Sequence, residues 1–157
     1  LPILVVQHIG ANNDNYIVNY LDKLCAFKVW EAQEKVSLRA GEVHIAPANY
    51  HLLVEKDFSL SLSVDAKVHH ARPSIDVLFE SAADTHGSNV IGVLLSGGNE
   101  DGAQGMKSIK NNGGWTVVQE PDTAEVPIMP LAALALEAEQ QVVPLDNISE
   151  LLQLLAG

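Results

Sequence analysis

Val93-Leu94-Leu95-Ser96-Gly97-Gly98-Asn99-Glu100-Asp101-Gly102-Ala103 is the stretch whose reading decides the fold. Its apolar start belongs to a run, Val90–Leu95, that reads as a buried strand. The glycine pair breaks that strand. Asp101 then opens a helix whose inner face is Ala103, Met106 and Ile109. A buried strand passing through a glycine turn into a helix is the βα unit of an open parallel sheet. Its loop lies outside the carboxyl ends of the strands, where such folds bind ligands. Asp101 is therefore a candidate site carboxylate. Helix capping explains the same position, because orphan N–H groups and the helix dipole favour a carboxylate there. Taken alone, the residue does not separate these two readings.

The pattern continues in both directions. Downstream, the helix stops at Gly113-Gly114 and Trp115–Val118 reads as a strand. Pro130 can start a helix reaching Leu136, and Val142–Leu145 is a short strand. Asp146 or Asn147 caps a final helix with Ile148, Leu151, Leu152 and Leu155 inward. Upstream, Arg72-Pro73-Ser74 opens the clearest helix, with Ile75, Leu78, Phe79 and Ala82 on one face and Gly87 at its end. Nearer the start, Ile3–Gln7 is a strand ending at His8. Asn12 to Asp14 offer helix caps, followed by Tyr16, Ile17, Tyr20, Leu21 and Leu24 at helical spacing. Lys28–Glu31, Val43–Ala46, His51–Val54 and Ser59–Val64 read as strands. Leu60, Leu62 and Val64 alternate with serines, as in a half-exposed antiparallel strand. The expectation is an α/β protein: a doubly wound, mostly parallel sheet with an antiparallel hairpin-like addition.

Bulk properties narrow the function classes. The 157 residues suggest one domain, and 47% hydrophobic residues are enough for a packed core. No run approaches the roughly 20 apolar residues of a membrane helix. The net charge of −11 argues against nucleic acid or an anionic membrane as partner. The one cysteine, Cys25, rules out an internal disulfide and is expected in the core; this fits a reducing compartment. The N-terminus has no basic region of a signal peptide. It reads as the inside of a strand, so the domain is expected to be N-terminally incomplete.

His8 leaves its strand toward Gly10. In a parallel sheet this end lies on the same edge as the Asp101 loop. An imidazole and a carboxylate so placed suit acid–base work. Ser-His-Asp hydrolysis needs a nucleophile as well, and no Gly-flanked serine turn at a third strand end is present. Ser96 shares the strand of Asp101, Ser74 and Ser81 belong to a helix, and Cys25 reads as core, so none is assigned that role. His69-His70 do not suggest a metal site, since neighbours in an extended chain point apart. Neither a P-loop nor a dinucleotide fingerprint occurs.

Four stretches together resemble the catalytic domain of the chemotaxis protein-glutamate methylesterases, the CheB family. They are Val5-Val6-Gln7-His8; Ile45-Ala46-Pro47 with His51 after it; Arg72-Pro73-Ser74-Ile75-Asp76-Val77-Leu78-Phe79; and Leu94-Leu95-Ser96-Gly97 through Asp101-Gly102-Ala103 with Gly105-Met106. The resemblance spans nearly the whole chain. It implies a single three-layer α/β/α catalytic domain over residues 1–157 and a cytoplasmic location. It also implies hydrolysis of glutamyl methyl esters on the cytoplasmic region of methylated chemoreceptors, with glutamine deamidation in some members, and no cofactor or metal.

It further implies a Ser-His-Asp triad in which His8 and Asp101 are the last two members, and an oxyanion donor at the Gly98 N–H. Arg72 is a candidate for positioning substrate or a loop. The family's serine turn precedes the His strand, so the nucleophile is expected upstream of this chain. The family's receiver domain is absent from these residues. Two departures stand out: Gly98 where the family has Met, and Asn99-Glu100 where it has Gly-Asn. The alternatives are a non-catalytic module that binds receptors or another partner on the same fold, and an esterase for another protein or small ester.

Overall fold

The computed structural model describes residues 1–8, 10 and 15–157. Two three-stranded parallel sheets and one antiparallel hairpin carry the chain. The first sheet has the order β1 (Ile3–Val5), β3 (Glu42–Ile45), β2 (Lys28–Glu31). Its register aligns Ile3, Leu4 and Val5 with Val43, His44 and Ile45. Because side chains alternate along a strand, the sheet has two apolar faces. On one, Val5, Val29, Val43 and Ile45 meet Ile17, Val18 and Leu21 of α1 (Tyr16–Leu24). On the other, Leu4, Val6 and Ala46 meet Leu78 of α2 (Ile75–His86), with Leu52, Val54 and Leu60 from the hairpin β4 (His51–Val54) and β5 (Leu60–Ser63).

The second sheet has the order β6 (Ile91–Leu94), β7 (Trp115–Gln119), β8 (Gln141–Val143). Its core joins Leu94 and Val118 to Ala103 and Met106 of α3 (Ala103–Asn111) and to Met129 and Ala133 of α4 (Ile128–Ala135). Burying the Leu, Val and Met side chains among them stabilises the fold by about 1.5–3 kcal/mol each. The last helix, α5 (Leu145–Ala156), buries Ile148. Among the described residues, β1 and β6 are each the end strand of their sheet.

α2 and α3 hold the functional loops and touch closely. A Cβ at Gly105 would lie 2.5 Å from Phe79 Cβ and 3.1 Å from the Asp76 Cα, so only glycine permits this approach. Gly102, just before α3, has φ +98°, a left-handed conformation that glycine adopts without steric cost.

Several local expectations change. Cys25 is exposed and stands at the C-cap of α1, because the buried face of that helix is Ile17, Val18 and Leu21. Tyr16, Tyr20 and Leu24 are exposed. Neither Asp146 nor Asn147 caps α5; Pro144 is the N-cap and Asp146 lies in the first turn. Pro130 sits inside the first turn of α4, which begins two residues earlier at Ile128. The caps expected at Asn12 to Asp14 fall outside the described residues.

Candidate active site

The carboxyl ends of β1 and β6 are joined by one contact. His8 Nε2 lies 2.7 Å from Asp101 Oδ2. The Asp101 carboxylate is buried, while His8 is partly exposed. His8 and Asp101, 93 positions apart in the chain, are direct partners, although β1 and β6 belong to separate sheets rather than to one.

Asp101 is surrounded by donors. Oδ2 also accepts the Ile75 N–H at 2.7 Å; Oδ1 accepts the Ser74 hydroxyl at 2.7 Å and the Asp76 N–H at 3.0 Å. Ser74 is the N-cap of α2, so Ile75 and Asp76 offer N–H groups that no helical carbonyl can reach. Asp101 thus does sit at a helix N-terminus, but the helix is α2 rather than its own. Its backbone is fixed by the Asn99 side chain, whose Oδ1 accepts the Asp101 N–H at 3.0 Å. Burial pushes the Asp101 carboxyl up. The opposing hydrogen bonds from His8, the Asp76 and Ile75 N–H groups and the Ser74 hydroxyl together hold it below the ordinary value. An ionised carboxylate only accepts, so His8 donates from Nε2, and in the neutral imidazole Nδ1 is then the bare nitrogen.

Asp76 answers from the other helix. Its Oδ1 accepts N–H groups at the start of α3, from Gly102 at 3.0 Å and Gly105 at 2.7 Å, and Oδ2 lies 3.2 Å from His69 Nε2. Burial raises its carboxyl above the ordinary value and the Asp101 charge adds to this, against the Gly105 N–H, the His69 charge and the Gly102 N–H. The two helices are thus clamped reciprocally, each N-terminus held by a carboxylate from the other's first turn or the loop before it.

The remaining candidates fall around this pair. Gly98 is exposed in the loop after β6, and its N–H donates to no protein acceptor among the described residues. Arg72 Nη1 donates to the carbonyls of Val64 and Asp65, both at 3.0 Å, tying the segment after β5 to the start of α2. Ser74 is fully buried with its hydroxyl given to Asp101, which leaves it unable to act as nucleophile. Ser96 Oγ is engaged by the backbone of Val126. His69 and His70 are not in an extended segment: both have positive φ (47° and 62°) in a tight turn closed by Val68 and Ala71. No group of metal-binding side chains occurs among the described residues.

Sequence reasoning missed Ser74 and Asp76 as neighbours of the pair. The available signal was a serine with an acidic residue two positions later at the helix start. It predicts a cap but not which loop the cap reaches.

Comparison with known proteins supplies the family. The profile of the family described as CheB methylesterase matches residues 1–152. A Leptospira interrogans protein (serovar copenhageni), provisionally named a protein-glutamate methylesterase/protein-glutamine glutaminase, is 50% identical over 96% of this chain and 78% of its own length. A Bdellovibrio bacteriovorus protein of the same name without the proviso is 40% identical over 93% of this chain, which spans 42% of that longer protein. The crystal structure of the Thermotoga maritima CheB methylesterase catalytic domain superposes with a TM-score of 0.90 at 29% identity, over 95% of this chain and 80% of that one. The chain belongs to the CheB methylesterase family, and its α/β architecture is that of the CheB catalytic domain.

Proposed function

We propose that this chain supplies the acid–base half of a serine esterase that hydrolyses glutamyl methyl esters on the cytoplasmic region of chemoreceptors. The observation that carries the reading is the 2.7 Å contact between a partly exposed His8 and a buried, multiply hydrogen-bonded Asp101. An imidazole held in one tautomer by an ionised carboxylate, with its other nitrogen free, is the base such chemistry requires. Membership of the family and the names of its relatives support the substrate class.

The nucleophile is a serine from a segment preceding Leu1. β1 and β6 are end strands whose carboxyl ends meet at His8 and Asp101. A further parallel strand seated between them would bring its own turn to that point. In the reaction, His8 Nδ1 takes the serine proton as the oxygen bonds to the ester carbonyl carbon. The oxyanion is met by the Gly98 N–H. Collapse breaks the ester C–O bond, and the leaving oxygen takes the proton from His8 as methanol. Water then attacks the acyl-enzyme with His8 as base again. Attack on a glutamine side chain would follow the same course with ammonia leaving. Arg72 holds the loop after β5 in place. Residues 1–157, with the serine segment, form one catalytic domain that works in the cytoplasm; no helix among the described residues is long and apolar enough to cross a membrane.

The test is methanol release from methylated receptor fragments by protein containing the chain and its preceding segment. Release should fall by roughly 10³-fold or more in His8→Ala. Release that His8→Ala leaves unchanged removes the assignment. No release from receptor fragments, with hydrolysis of small esters intact, shifts the substrate to another ester. Binding without any hydrolysis favours a docking module.

A further inference from the structure

His51 is a buried histidine that the proposed reaction does not use. It is 1% exposed, and both ring nitrogens are engaged. Nδ1 accepts the Ser74 N–H at 3.1 Å, and Nε2 lies 3.0 Å from the Ala66 carbonyl. A backbone N–H only donates and a carbonyl only accepts. The ring is therefore fixed as the neutral tautomer with its proton on Nε2.

The residue it holds is the one that matters to Asp101. Ser74 precedes the first turn of α2, so its N–H has no helical acceptor. His51 provides one, from β4. The Ser74 hydroxyl meanwhile receives the Val77 N–H at 3.4 Å and gives its own hydrogen to Asp101 Oδ1 at 2.7 Å. The next two N–H groups, of Ile75 and Asp76, also point at Asp101. Three of the four donors on that carboxylate come from three consecutive residues. Their common direction depends on how Ser74 is seated. A continuous chain of hydrogen bonds thus runs from the Ala66 carbonyl through His51, Ser74 and Asp101 to His8.

We propose that His51 is a positioning residue for the His8–Asp101 pair, acting through Ser74. The claim goes beyond the esterase reading, because it concerns the state of His8 with or without an ester present. It assigns a purpose to a fully buried imidazole, without which the buried Ser74 N–H would lack an acceptor.

The test is long-range nitrogen–proton NMR of protein labelled in its histidines, near neutral pH and without substrate. The wild type should show His51 protonated on Nε2 and bare on Nδ1, and a protected, downfield His8 Nε2–H. Asn places an amide oxygen about where Nδ1 stands and can still accept from Ser74. Gln can still donate to Ala66 but leaves the Ser74 N–H without an acceptor. His51→Gln should therefore lose the His8 Nε2–H signal to exchange with water, and His51→Asn should keep it. Ser74→Ala should lose it as well, with no further effect of His51→Gln in that background, and Ser74→Thr should restore it. A folded His51→Gln protein whose His8 signal is unchanged overturns the proposal. So does a wild-type His51 with its proton on Nδ1, a result that needs no variant. Failure of esterase activity alone leaves these signals untouched, so the two readings fail separately.

Discussion

Asp101 and Asp76 occupy equivalent places and behave in opposite ways. Each receives the N–H groups of the neighbouring helix, and both are buried, at 0% and 3% exposure. Asp101 nonetheless lies below the ordinary carboxyl value of 3.8 and Asp76 above it. Burial acts the same way on both, so it does not decide the outcome. The donors do. Asp101 uses both oxygens, accepting from His8 and Ile75 on one and from Ser74 and Asp76 on the other. Asp76 takes two N–H groups on a single oxygen, leaves the other to His69 at 3.2 Å, and faces the charge of Asp101. The more fully solvated carboxylate keeps its charge beside the histidine. The less satisfied one yields.

That contrast predicts the ordering of substitutions. Asp101→Asn has the largest expected effect. Whichever way the amide turns, its NH₂ meets donors, so a fold loss of about 3 kcal/mol or more should appear as a lowered denaturant midpoint. Methanol release should fall roughly 10⁴-fold with it. Gly105→Ala comes next. The added methyl would push Phe79 and the Asp76 backbone away, for a cost of about 1–3 kcal/mol in chemical denaturation. Asp76→Asn should be the mildest, under about 1 kcal/mol. Its amide oxygen can still accept from Gly102 and Gly105, and its NH₂ can donate to His69.

The pH dependence sharpens the same comparison. The folded value of Asp101 is depressed. Its stabilising contribution is therefore present above the unfolded value and is lost as pH falls through the folded one. The folded value of Asp76 is raised. Its contribution is present below the unfolded value and is lost as pH rises through the folded one. Thermal melts of Asp76→Asn from mildly acidic to neutral pH should fall away less with rising pH than those of the wild type. An unchanged slope would contradict a raised value for Asp76.

Local periodicity made much of this legible. The strand before Gly97, the face Ala103, Met106 and Ile109, and the hairpin from His51 to Ser63 appear where spacing and turn residues put them. That His8 and Asp101 stand at strand ends was legible; that they meet across two separate sheets was not. Contacts set by helix packing were not. Ser74 reads as a cap in the sequence, but that its hydroxyl reaches Asp101 depends on how α2 meets α3 at Gly105. Cys25 was misplaced because helical spacing alone does not tell which of two stripes on α1 faces the sheet. His69 and His70 were misread as extended because a two-residue turn with positive φ at both positions is uncommon without glycine.

The central claim is that His8 and Asp101 activate a serine outside these 157 residues. It is tested most directly by labelling protein that includes the preceding segment with a serine-directed fluorophosphonate and locating the adduct by mass spectrometry. The prediction is one adduct on a serine before Leu1, formed roughly 10³-fold more slowly in His8→Ala. An adduct on Ser74, Ser96 or any other residue of this chain, or a rate indifferent to His8, would contradict it.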